Sequence, residues 1–187
     1  MAENTLSAAS KARFYRSSKG GQSIRHFQES TSLSTALIKV GDVVQFDVNV
    51  STANSRIVKS STMANVPNVI STAFLGLAAE DSTAFNNSGP TASAPGRKIP
   101  VILADKDTEF LFYTKSAGTV VTSTLVGSRR AIAYDSTLSI FYCDLGNSTA
   151  GDASVVITAA LEEGTTNGAV AAKFLSTAVA RLISAAF

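Results

Sequence analysis

From residue 36 onward the chain repeats one pattern: a few β-branched, aromatic or alternating apolar residues, then a cluster of Gly, Asp, Asn, Ser or Pro. The stretch "KVGDVVQFDVNV", residues 39 to 50, is the clearest case. Val44, Phe46, Val48 and Val50 are apolar, whereas Gln45, Asp47 and Asn49 between them are polar. Period-2 alternation predicts a half-buried strand over 43–50, entered through the turn-forming pair Gly41-Asp42. Segments this short, each closed by turn residues, are too brief for ordinary helices, and no helix is demanded before residue 176.

Further strands are expected at 56–62 and 69–81, with Gly76 marking a bulge or a close backbone approach. "NNSGPTASAPG", 86–96, reads as a surface loop. "RKIPVILADKDTEFLFYTK", 97–115, reads as a hairpin of strands 98–104 and 109–115 turning at Asp105-Lys106-Asp107. The consecutive bulky residues Phe110 to Tyr113 imply a strand buried on both faces or facing a partner. Strands follow over 118–127, 129–135 and 136–146. A second hairpin is expected over 153–176, its loop carrying Glu162, Glu163, Gly164 and Asn167-Gly168. The last dozen residues fit a helical stripe (Leu175, Val179, Leu182, Ala186) as well as a strand. The fold class is all-β: a barrel or sandwich of eight or nine short strands.

Residues 1–35, with the Gly/Ser-rich "SSKGGQS" at 17–23 and the polar hydroxyl run "ESTSLSTAL" at 29–37 that has no clear period, are read as an extended N-terminal arm preceding a β domain over 36–187. The arm holds five of the basic residues, Lys11, Arg13, Arg16, Lys19 and Arg25, against Glu3 and Glu29, while the whole chain is only +2. It also carries Phe14, Tyr15 and Phe27, which a free linker does not need. Arg13, Phe14, Tyr15, Arg16, Arg25 and Phe27 are therefore the candidate partner-binding residues, with arginines for acidic surface and aromatics for buried area. The bland alternative is that Phe14 or Phe27 tucks into the chain's own core.

Charged residues make up 16% of the chain, but Ser and Thr number 44, so the surface is polar by hydroxyl more than by charge. Such a surface packs against protein with little desolvation of charge. The near-neutral balance gives no expectation of nucleic-acid or membrane binding, and Lys173 and Arg181 interrupt the apolar C-terminal stretch. The start lacks the apolar run of a signal peptide, and the single Cys143 excludes a disulfide within the chain, which fits a reducing cytoplasm.

Reactive chemistry is sparse. One histidine, His26, and one cysteine cannot build a zinc site, and Cys143 lies within an apolar strand pattern where a thiol is a small buried residue. Asp105, Asp107 and Glu109 resemble a fragment of a calcium loop but lack the glycine and bidentate glutamate at the required spacing. Arg129-Arg130 and Arg97-Lys98 read as solvated strand ends, and "SKGGQS" lacks the spacing of a phosphate loop. No catalytic, metal or cofactor residues are expected, and no enzymatic activity.

Four segments together, "IKVGDVVQFDV", "NVPNVISTAFLGLAAED", "RKIPVILADKDTEFLFYTK" and "VVITAALEEGTTNGAVAAKFLS", resemble in that order the head decoration (cement) proteins of tailed bacteriophages. The likeness spans residues 37–176 and leaves the N-terminal segment outside. It implies a small β protein on the outer surface of an icosahedral capsid. Such a protein works as a homotrimer or dimer that bridges neighbouring major capsid subunits, is made in the host cytoplasm and ends in the virion. Two rival classes share the β-rich composition: a phage fibre, tail or connector subunit, and a carbohydrate-binding or hydrolytic β-sandwich. The absence of Trp weighs against the last.

Overall fold

A computed structural model describes residues 2–29, 38–46, 56–59, 74–81, 98–115, 118–148 and 153–175. The fold is all-β. In chain order the strands are β1 (Ala2–Glu3), β2 (Arg13–Ser17), β3 (Ile24–Glu29), β4 (Val43–Phe46), β5 (Arg56–Lys59), β6 (Phe74–Ala78) and β7 (Lys98–Leu103). They continue with β8 (Thr108–Lys115), β9 (Arg129–Asp135), β10 (Ile140–Asp144), β11 (Val155–Ala160), β12 (Thr165–Thr166) and β13 (Ala169–Phe174).

Two closed arrangements take up most of these strands, and β1 and β12 form a separate two-stranded sheet. The first is a five-stranded barrel in the order β3-β5-β4-β6-β7, with β7 returning to pair with β3. The second is a sheet in the order β10-β9-β11-β13-β8-β2. A parallel pairing of β10 with the end of β8 rolls five of its strands into a ring, leaving β2 outside on the first half of β8. Since β2 and β8 are antiparallel neighbours, the whole barrel is an insertion between two paired strands of the rolled sheet. The outgoing and returning connections run side by side. Ser18 N–H donates to the Asp107 carbonyl at 3.1 Å, and Leu103 N–H donates to the Ser23 carbonyl at 2.8 Å.

Strand alternation builds the two cores. In β7, Ile99 and Val101 point into the barrel, together with Phe27, Val44, Ile57 and Leu75. Ile102 and Ala104, one residue out of phase, point outward and join Val43, Phe74 and Leu77 on the core of the rolled sheet. That core holds Phe110, Phe112 and Phe174, whose rings meet edge-on with centroids 5.5 and 6.0 Å from Phe174, while Phe74 reaches across from the barrel to 5.6 Å. The outer face of the barrel thus supplies part of the inner packing of the sheet.

The Gly76 expectation is met in detail. Its φ is +151°, and a Cβ there would lie 1.9 Å from the Ile102 carbonyl oxygen. The register with β4 slips at this point, so Leu75 and Ala78 face the barrel while Leu77 faces away. Gly41 also sits where a side chain would strike the Ala12 carbonyl, 2.5 Å from the Cβ position.

Several expectations are corrected. Residues 98–104 and 109–115 form strands, but not a hairpin with each other. Asp105 makes the expected turn, its Oδ1 accepting from the Asp107 N–H at 2.9 Å and the Thr108 hydroxyl at 2.7 Å. Beyond it β7 joins the barrel and β8 the rolled sheet, because a turn fixes a change of direction and not a pairing partner. The half-buried reading of 43–50 fails over its described part: Val43 and Val44 are buried on opposite faces and Gln45 is buried too, since β4 lies between the two cores. The segment 118–127 is not a strand but a single bridge at Val120 and a 3-10 turn at Ser123–Leu125. Its backbone groups bond within the turn and to distant partners: Val121 N–H donates to the Thr165 carbonyl at 3.0 Å, Gly127 N–H to the Ile157 carbonyl at 2.8 Å, and Ser123 N–H to the Glu163 carboxylate at 2.8 Å. Over 136–146 only Ile140–Asp144 is strand. The second hairpin forms as expected, β11 against β13. Residues 47–50, 60–73, the 86–96 loop and 176–187 lie outside the described residues.

The extended arm is corrected most. Residues 2–29 belong to the body: β1 pairs in parallel with β12, β2 with β8, and β3 with β7 and β5.

Candidate partner-binding surface

The sequence places basic and aromatic residues on β2 and β3, and burial sorts them into two sets. Phe27 is 8% exposed and stacks edge-on against Phe46 inside the barrel, centroids 5.9 Å apart. Phe14 is half-buried and packs on the core of the rolled sheet. Both are fold determinants, the alternative already open at the level of sequence. Arg13, Tyr15, Arg16 and Arg25 are exposed, and Ile24 and His26 join them.

The β2 strand is fixed by one buried carboxylate. Opposite a bulge between Phe14 and Arg16, Glu109 on β8 is 9% exposed and takes bonds from three strands. Arg16 donates to it from Nε at 2.9 Å and from its terminal nitrogen at 3.4 Å; Thr158 of β11 donates at 3.0 Å; and Lys173 Nζ of β13 stands 3.6 Å away. Burial pushes the Glu109 carboxyl up. Hydrogen bonds from Arg16 and Thr158, with the charges of Arg16 and Lys173, outweigh that and hold it below the usual range. The other side of the Arg16 guanidinium lies 5.4 Å from the Tyr15 ring centroid and remains largely in solvent.

Tyr15 at 38% and Ile24 at 45% exposure are among the large apolar side chains left in water, on consecutive strands joined by the 18–23 turn. Ile24, Arg25 and His26 are exposed in succession, breaking the alternation that resumes at Phe27. Sequence reasoning passed over Ile24 as an interface residue. Its neighbours Arg25 and His26, polar on both parities, were the signal that this strand end is not covered.

Residues with chemical potential are placed elsewhere. Cys143 is fully buried in the rolled sheet, and burial raises its thiol to about 12, so it carries no thiolate at neutral pH. Asp105 is spent on its turn, Asp107 on Ser18 and Lys19, and Glu109 on the β2 clamp. Among the described residues no group of three or more His, Cys, Asp or Glu side chains converges as a metal site would require. No helix of the described residues is long and apolar enough to cross a membrane. Comparison of the chain with protein-family models, curated proteins and solved structures finds no match, so the residues themselves carry the functional argument.

Proposed function

We propose that this protein is a virion structural protein, a decoration or cement protein that binds the outside of an icosahedral phage head and bridges neighbouring major capsid subunits. The observation that carries the reading is the exposed set Arg13, Tyr15, Ile24 and Arg25 on β2 and β3 of a body poor in surface charge. Arginine and tyrosine are the residues that most often dominate protein interfaces, and here both are held on strands, so little ordering entropy opposes docking. The capsid as partner, and self-association around a symmetry axis, come from the resemblance of the four segments between residues 37 and 176.

Bridging needs several modest contacts on one stiff body, so that each later contact forms as an intramolecular event. Barrel and rolled sheet share a core, which provides that stiffness. Enzymatic action is not part of the reading, and no cofactor enters it.

Surface substitution is the suitable test, because deleting residues 2–30 would remove a barrel strand. The variant Arg13→Glu/Tyr15→Ala/Arg25→Glu should keep the fold and lose about tenfold or more in affinity for capsids that lack the protein, measured by co-sedimentation. Undiminished binding refutes this surface. A copy number in virions far below that of the major capsid protein refutes the cement role and favours a fibre, tail or connector part.

A further inference from the structure

We propose that residues 2–17, the segment carrying β1 and β2, exchange between copies of this chain, each segment seating on the body of a second copy in the place where it lies on its own. The inference stands apart from capsid binding and concerns the isolated protein.

Neither closed arrangement needs this segment. The barrel closes through β3-β5-β4-β6-β7, and the ring of the rolled sheet closes through β10 pairing with β8. The segment's strands add to outer edges, β2 to the first half of β8 and β1 to β12, while Ala12 and Phe14 between and within them pack on the core of the rolled sheet. Its departure keeps the pairings that close the two arrangements and uncovers two strand edges, the first half of β8 and β12, which the same segment of another copy fits residue for residue.

The seat is specific. Ala12 is buried in the main core beneath Gly41, whose missing side chain makes room for it. Arg16 meets the buried Glu109. Asn4 donates its side-chain amide to Glu162 and accepts at its carbonyl from the Asn167 amide at 3.2 Å. With the seat empty, Glu109 keeps Thr158 and Lys173, so the vacated site does not hold a stranded charge.

The connection can open. Between β2 and β3 runs "SKGGQS", residues 18–23, with exposed Gly20 and Gly21, around whose Cβ positions no atom lies within 4 Å. Gly20 N–H closes a turn on the Ser17 carbonyl at 3.1 Å. Ser18 and Lys19 on Asp107 and Ser23 on Leu103 hold the connection on either side of the glycines, and opening breaks the Ser18 and Lys19 contacts, which re-form on the second copy. Straightened, six residues span roughly 20 Å, enough to carry β2 off its own body. Since the contacts are the same in both arrangements, concentration decides between them: the closed form prevails when dilute, and the exchanged form when copies are crowded.

Two experiments test this. Full-length chains carrying Glu3→Cys and Thr166→Cys, one substitution each and differently tagged, are mixed at high concentration, incubated, diluted and oxidised; these positions face each other across β1 and β12. Exchange predicts a disulfide joining unlike chains at several-fold excess over those joining like chains, and a dimer fraction rising with incubation concentration. A statistical mixture of disulfides, or none, overturns it. Deleting Gly20 and Gly21 removes the turn that folds β2 back, and should make the protein dimeric at micromolar concentration by light scattering. A folded, monomeric deletion variant overturns the proposal as well.

Discussion

The barrel and the rolled sheet both mix pairs of chain neighbours with distant pairings, but they close at different distances along the chain. In the rolled sheet β9 pairs with β10 and β11 with β13 across a short loop, β13 reaches back to β8, and the ring closes where β10 meets the end of β8. In the barrel the closing strand is far away in sequence, Ile24 opposite Ile102 and Phe27 opposite Ile99, and β3 also meets β5 in parallel. The interiors differ too. The barrel is filled chiefly by Ile, Val and Leu around one aromatic pair, whereas the rolled sheet is centred on a cluster of phenylalanines to which the barrel contributes Phe74. The difference teaches that the barrel is not a free-standing unit: its inside is its own, but its outside is the lid of the other core.

If that is so, the two should melt together. Phe174→Ala removes the ring on which Phe74, Phe110 and Phe112 converge and should cost about 3–5 kcal/mol, lowering a single cooperative transition seen by calorimetry. Two separated transitions would break the comparison as drawn. Gly76→Ala acts from the barrel side, forcing a Cβ onto the Ile102 carbonyl at a backbone angle that side chains avoid. It should cost about 3 kcal/mol in denaturant titrations, strain and overpacking together. A neutral effect would show that the β6–β7 approach is not required.

Glu109→Gln is the mildest change and sharpens the role of β2. It should cost about 1–2 kcal/mol at neutral pH, because charge-assisted bonds become neutral ones. The Glu109 carboxyl is held below its unfolded value in the fold, so its stabilisation is complete above the ordinary carboxylate range and is lost as pH falls through and below it. The parent protein should therefore lose more melting temperature than Glu109→Gln between about pH 5 and pH 3. Parallel pH profiles would remove Glu109 from the clamp.

What could be read from the sequence follows the same division. The β11–β13 hairpin, β7, β8 and β9, the special place of Gly76 and the burial of Cys143 were legible because period, turn residues and small-residue signals act within a few positions. The strands β2 and β3 were not. Their partners stand dozens of residues away, as in Phe14 opposite Phe110, and nothing local in "RFYRS" or "IRHFQE" announces a distant edge. Of the six candidate binding residues, Arg13, Tyr15, Arg16 and Arg25 emerge in solvent, but Phe14 and Phe27 turn inward. Composition could place aromatics in the segment; only pairing decides which side of a strand each one takes.

The chain passes from rolled sheet to barrel once and returns once, and the two passages lie against each other, stitched by the Ser18–Asp107 and Ser23–Leu103 backbone bonds and by Lys19 on Asp107. A pull that separates the barrel from the sheet is therefore divided between two covalent tethers at a single point of attachment. Such a pull should tear Phe74 and Leu77 out of the shared core together, a brittle joint rather than an elastic one.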